Sequence, residues 1–313
     1  MLQFWIRHWF LLSLTAILVI GIGWSSSLAS LAAEIPREWV IASVLLAMAL
    51  PLRLDLQSNT LRYPLPVLLA VTVNWLFIPG LALLASKLLI PDLALGLIIA
   101  AAVPCTLASA AVWTRLAGGN DAVSLLVTIV TNLGCFLVTP ALIQACAGYS
   151  DVKISFGEMA HKLLVLIVLP LVLAQLLRRI VSVGQCADKN KPLLTIYAQC
   201  GILVIVFIGA IYSGEKLVDQ SSLGWQFTIM IALVAVIHLF AWLCGFWLAG
   251  WLGIGREEQI AVAFAGSQKT LMVGLAIALH FGGLVILPML TYHVAQLLID
   301  TLLAGRLQSQ FHD

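Results

Sequence analysis

About ten apolar stretches, most of them near the length of a bilayer crossing, follow one another along this chain with only short polar joints between them. A run of about 20 apolar residues spans the hydrocarbon core as a helix. In lipid every backbone polar group must be satisfied within the protein, so a chain of this pattern folds as helices. The spans read as Phe10–Trp24, Val40–Leu54, Leu65–Leu88, Leu93–Leu116, Ala122–Cys146, Met159–Ile180, Leu194–Tyr212, Trp225–Trp251, Gln259–Phe281 and Leu284–Leu303. Only 10% of the residues are charged, against roughly a quarter in a soluble domain. The joint between Arg178 and Leu193 is the longest and reads as a linker, leaving no room for a soluble domain. A net charge of +2 gives no field that would draw nucleic acid. The expectation is an all-α integral protein of the inner or plasma membrane, its partners lipid and a small solute, its oligomeric state unspecified.

With an even number of spans both termini lie on one side. The termini and the joints with Arg53, Arg62, Arg115, Arg178, Arg179, Lys189, Lys191 and Arg256 outweigh the opposite joints, which hold Arg37, Lys87, Lys153, Lys162 and Lys216. The excess of basic residues predicts cytoplasmic termini. The first segment has two readings: a membrane helix, or a cleaved signal peptide whose small-residue site lies in SSSLASLAAE. Trp5, Trp9 and Trp251 read as interface anchors. The six cysteines lack the paired spacing of metal or redox sites, so no metal or prosthetic group is implied.

Two spans are interrupted near their middles, AAAVPCTLASA around Pro104 and AFAGSQKTLMVG around Gly266. Proline lacks the amide hydrogen and glycine loosens the backbone. Such breaks at membrane depth occur where they are packed in protein or line a cavity. Sliding the sequence on itself by 164 residues aligns them: Thr106-Leu107 falls on Thr270-Leu271, Gly118-Gly119 on Gly282-Gly283, and Asn132 on Gln296. The chain then divides into two five-helix repeats, residues 1–149 and 150–313, of opposite orientation. Inverted repeats with discontinuous helices at matching positions point to a secondary transporter, whose half-helix amino ends face a ligand near the midplane.

At these residues the chain resembles the bile acid:sodium symporter superfamily, in its SBF-like branch of sodium-dependent transporters. The resemblance rests on PCTLASAAVWTRLAGGNDAVSLLVTIVTNLGCFLVTPALI in the first half, and on FAGSQKTLMVGLAIAL with LPMLTYHVAQL in the second. It implies ten helices in a core and a panel domain, with discontinuous helices 4 and 9 crossing in the core. It also implies sodium ligands at that crossing, of which Ser124, Thr128 and Gln268 are retained. Ala110 and Ala111 stand where the resemblance implies a serine-asparagine pair, Phe264 where it implies a carboxylate, and Lys269 where it implies an asparagine. The site for two sodium ions is thereby degraded, and the coupling ion becomes Na⁺, H⁺ or neither.

Lysine at a helix centre costs about 2.5–3.5 kcal/mol to insert, so Lys269 is expected to face a cavity or a partner. One reading gives its ammonium the electrostatic role of a bound sodium, suited to an organic anion, with proton exchange as a further possibility. The other makes it a structural ammonium on the exposed carbonyls of the break. Ser267, Thr270, Thr106 and Ser109 flank the breaks as candidate ligands, and Asn74 joins them from the third span. His293, Gln296 and Asp300 share one face of the tenth helix. That stripe is read as a relay or as partners of Lys269, and Asp300, near the cytoplasmic end, also as interfacial. The chain is expected to transport by alternating access; the alternative is a regulatory or non-transporting protein on a degenerate transporter fold. An enzyme is not expected, since no opposed catalytic carboxylates or nucleophile loop occur.

Overall fold

The computed structural model describes residues 2–52, 64–147, 155–217 and 223–309. The side chains of residues 2–8, 11, 147 and 217 lie outside that description, Trp5 among them, as do Arg53, Arg62 and Lys153. Helices α1 (Leu2–Gly23), α2 (Ser25–Glu34) and α3 (Arg37–Ala49) open the chain, α1 and α2 meeting at a bend of 109°. The third span is α4 (Pro64–Thr72), a π turn at Val73–Phe77, and α5 (Ile78–Ser86). The fourth is split into α6 (Pro91–Ala102) and α7 (Ser109–Leu116), and α8 (Asp121–Ala147) follows. Next come α9 (Phe156–Leu163), a second π turn at Leu164–Val168, α10 (Leu169–Arg178) and α11 (Val181–Lys189). Two long helices, α12 (Lys191–Leu217) and α13 (Gly224–Trp251), lead to the second split span, α14 (Arg256–Ser267) and α15 (Leu271–Phe281). A 3₁₀ turn at Gly283–Ile286 opens α16 (Leu287–Ser309).

Among the described residues there is no strand, and seven helical segments are long and apolar enough to cross a membrane, or eight if α1 and α2 form one. The expected ten spans are not all of full length. Leu93–Leu116 is two short helices because Pro104 ends the first, and α3 has 13 residues where Val40–Leu54 was expected. The joint after Arg178 is no bare linker: α11 occupies it, with Arg178 paired to Asp188 at 3.0 Å.

Two gatherings of helices result. α1, α2 and α3 pack on α12, and α10 packs on α3. Around α14 stand α4, α7, α8 and α13, with α16 against α13. The span formed by α14 and α15 is buried over its whole apolar window, against 39–61% for the other six. It is therefore the central rod, walled by protein on every side, and a polar group on it faces protein instead of lipid. Close approach elsewhere is set by small residues. A Cβ on Gly21 would come within 2.6 Å of Ala210, so α1 lies directly on α12.

Candidate functional site

Both interruptions are made as the sequence dictates. α6 stops at Ala102 and α7 resumes at Ser109; α14 stops at Ser267 and α15 resumes at Leu271. The two gaps touch: the Thr270 amide donates to the Pro104 carbonyl at 3.0 Å, and the Thr106 hydroxyl donates to Gln268 Oε1 at 2.6 Å. The freed backbone groups have to find partners, because an unpaired buried carbonyl or amide costs about 1–3 kcal/mol. At the first break α8 supplies them. Thr139 donates to Ala102 O, Asn132 to Cys105 O and Thr128 to Thr106 O, while Thr131 accepts from the Cys105 amide.

At the second break the partners come from three directions. Asn74 Nδ2 donates to the carbonyls of Gly266 and Gln268. Tyr292 donates to the Ser267 carbonyl, which also faces His238 Nδ1 at 3.3 Å. Gln296 closes a two-way amide pair with Lys269, accepting from its N–H at 2.9 Å and donating to its carbonyl at 3.0 Å. The 164-residue offset carries over into bonding. Asn132 on Cys105 O becomes Gln296 on Lys269 O, and Gly118 and Gly282 both take positive φ, 75° and 66°.

Lys269 is fully buried, and its ammonium has three oxygen partners: Asn74 O at 2.6 Å, Val103 O at 2.9 Å and Asn74 Oδ1 at 3.1 Å. The chain itself prepares the first of them. In the π turn the Ile78 amide bonds to Val73 O instead of Asn74 O. The next residue, Pro79, has no amide hydrogen to offer. Asn74 O is thus left open, and Lys269 fills the opening. Val103 O is open because α6 ends before it.

A carboxylate also reaches the centre, from the polar face of the tenth span. Asp300 is fully buried, not interfacial. Hydropathy alone ends the tenth span near Leu303, but α16 continues to Ser309, which sets Asp300 about 13 Å inside its end. Asp300 Oδ2 accepts from Gln268 Nε2 at 2.7 Å, and Oδ1 lies 2.9 Å from His238 Nε2. His238 on α13 was not foreseen at all, for a lone histidine in the apolar run VAVIHLFAW gives no signal. Gln268 joins the two sides, since its Oε1 also accepts from Ser109 at 2.8 Å.

Of the expected residues, Lys269, Gln268, Ser267, Thr270, Thr106, Ser109, Asn74 and Gln296 are brought together at the two breaks. Thr128 and Asn132 stand behind the first break; Asn132 Oδ1 is buried without a hydrogen-bond partner. Ser124 is one turn further from it, hydroxyl to hydroxyl with Thr114 at 2.7 Å. His293 bonds to Gln296 at 3.1 Å and stands edge-on to Phe10, so it contacts the centre only through the amide. Phe264 is buried against Trp242, 5.6 Å between ring centroids, so that position belongs to an aromatic cluster.

Comparison with known proteins agrees with this architecture. The model of the SBF-like CPA transporter family matches residues 8–309. An uncharacterized protein of Pseudomonas aeruginosa is 29% identical over 239 residues, 72% of this chain and 70% of that protein. Sodium/bile acid cotransporter 7 of Danio rerio is 26% identical over 242 residues, 73% of this chain and 68% of its own length. The Arabidopsis thaliana protein named "Probable sodium/metabolite cotransporter BASS4, chloroplastic" is 28% identical over 229 residues, 68% of this chain and 52% of that relative. The latter two are cotransporters by name, and the matching family is one of transporters, not enzymes. The chain belongs to the SBF-like CPA transporter family.

Proposed function

We propose that this protein is a secondary transporter that moves a small organic anion by alternating access, with Lys269 as a built-in cation where its relatives use sodium. The observation that carries this reading is the seat of the Lys269 ammonium, three oxygens at 2.6–3.1 Å drawn from Asn74 and Val103. Three such acceptors match the three hydrogens of an ammonium. A neutral amine has two hydrogens and three acceptors are present, so the bonding calls for an ammonium. The fixed charge is joined by the amino ends of α7 and α15, whose dipoles point positive ends at the same place. Phe264 and the two alanines, Ala110 and Ala111, leave a residual sodium set of Ser124, Thr128 and Gln268, with no carboxylate at position 264.

The equivalent bonds at an offset of 164 residues, with positive-φ glycines at matched positions, support two inverted five-helix repeats. The gatherings around α12 and α14 correspond to panel and core. Between them, where α9 meets α15, lies a cavity of about 110 Å³ lined by Glu158, Lys162 and His280 among others. A solute site generally needs about 300–1,000 Å³, so movement of one gathering against the other would have to enlarge it.

The test is uptake by purified protein in liposomes, with radiolabelled taurocholate as the first probe and a panel of small organic acids exchanged against one another. Uptake or exchange that responds to a proton gradient and little to sodium is expected. A steep two-ion sodium dependence would overturn the built-in cation, and no flux of any anion would overturn transport.

A further inference from the structure

Among the described residues three fully buried side chains can hold a full charge near neutral pH: Lys269, Asp300 and His238. The hydrogen-bond geometry suits a hydrogen on each ring nitrogen of His238. His238 Nδ1 faces the Ser267 carbonyl, which can only accept, so Nδ1 bears a hydrogen. Between Nε2 and Asp300 Oδ1, 2.9 Å apart, one more hydrogen fits. When the pair holds a single hydrogen, it stays in this fully buried 2.9 Å contact and the longer Nδ1 contact to Ser267 is given up. The second carboxylate oxygen is already engaged by Gln268 Nε2. The pair therefore gains and loses that proton as a unit.

The neighbours do not supply a substitute charge. The elements packed on α16 include α6, α7, α12, α13, α15 and the 3₁₀ turn. Helix α14 packs on α13 with Arg256, Glu257 and Glu258 at the end away from Ser267, Arg256 over the Phe246 ring and Glu258 bonded to Asn120. On α7, Arg115 is tied to Asp121. Asp92 of α6 and Lys216 of α12 flank Gly283, about 25 Å back along the span. His280 closes α15 at its far end, beside Phe281. On α16 itself Tyr292 stands edge-on to His238 and donates to Ser267 O, His293 is bonded to Gln296, and Arg306 lies beyond Asp300 toward the helix end. Lys269 is held by Asn74 and Val103, and the Cys105 thiol lies against Thr128.

We propose that the His238–Asp300 pair is a proton-binding site whose occupancy switches the buried centre between neutral and singly positive, so that a proton and an organic anion favour each other's binding. With its proton the pair is neutral and Lys269 gives the centre one positive charge; without it the Asp300 carboxylate cancels Lys269. The state of Asp300 is passed to the partly exposed Ser109 through the Gln268 amide, which bonds both. By linkage the anion then raises proton affinity by the factor by which the proton raises anion affinity. The anion half of this rests on the transporter reading above; the proton half does not.

The experiment is infrared difference spectroscopy of the full-length protein in nanodiscs, titrated from acid to mildly alkaline pH without any anion. In the wild type an Asp300 carboxyl band is expected to titrate together with an imidazole band. Asp300→Asn should remove the carboxyl band, and His238→Gln should keep it but move its midpoint by about one pH unit or more. Identical difference spectra in wild type and His238→Gln would overturn the proposal, and that variant decides the matter if Asp300→Asn does not fold. A titrating pair in a protein that moves no anion in liposomes would keep the proton site and reject only the transport reading.

Discussion

The two helix breaks are built for the same purpose and finished differently. The first, residues 103–108, has its backbone satisfied largely by one helix, through the hydroxyls and the amide of Thr128, Thr131, Asn132 and Thr139. Its far end is open, with Ala108 exposed and Ser109 partly so. The second, residues 268–270, is buried throughout and is served by α13, α16 and the π turn, whose side chains include His238 and Asp300. One break is a mouth lined with neutral hydroxyls; the other is a sealed centre that holds the charge. Under the proposed function a solute arriving at the crossing would meet Ser109, Thr106 and Gln268 before Lys269, and the lysine would act by its field more than by contact.

The contrast breaks most plainly at Lys269. Lys269→Met should abolish uptake while leaving three oxygens unpaired, at about 1–3 kcal/mol for a lost buried partner; normal flux in that variant would reduce the charged centre to scaffolding. Next in size, Gln296→Leu strips a donor and an acceptor from the sealed break, whereas Asn132→Leu strips one donor from the open break. Thermal unfolding in detergent should place the Gln296 variant below the Asn132 variant, by about 1 kcal/mol of stability. Equal losses would mean that the two breaks are held alike. Pro79→Ala sharpens the origin of the lysine seat. It returns an amide hydrogen to the π turn, which then competes for Asn74 O, and it should lower flux severalfold with little loss of folded protein. The smallest effect belongs to Ser109→Ala. At the open end it should weaken apparent anion affinity with a stability change under about 1 kcal/mol, and a large stability loss there would contradict the mouth.

How much of this was legible follows from which signals are local. A proline at 104 and the tract GSQKT at 266–270 announce breaks within a few residues, and a lysine in hydrocarbon has few reasons to exist, so the crossing was readable. The membrane class was readable too, and among the described residues seven of the expected spans are full-length apolar helical segments, α3 having 13 residues. Asp300 was misplaced because falling hydropathy marks where lipid contact ends, whereas a protein-packed helix continues past that point. His238 was missed because its partners, Ser267 and Asp300, are 29 and 62 residues away and nothing near it in sequence is polar. The role of Pro79 was hidden for a related reason. Its effect is a missing hydrogen, felt only when the ammonium of Lys269 arrives from 190 positions further along.

That arrival has a consequence for biosynthesis. Chains are made from the amino terminus, and early segments settle first. The carbonyls of Asn74 and Val103 are threaded into the bilayer well before Lys269 leaves the ribosome, and Asp300 emerges last. The receptor for the cation is thus waiting before the cation enters lipid, which spares the ninth segment a spell as an unaccompanied charge. A truncated chain lacking the third segment would present Lys269 to the insertion machinery with nowhere to dock, and that half of the protein should be rejected by the membrane or degraded.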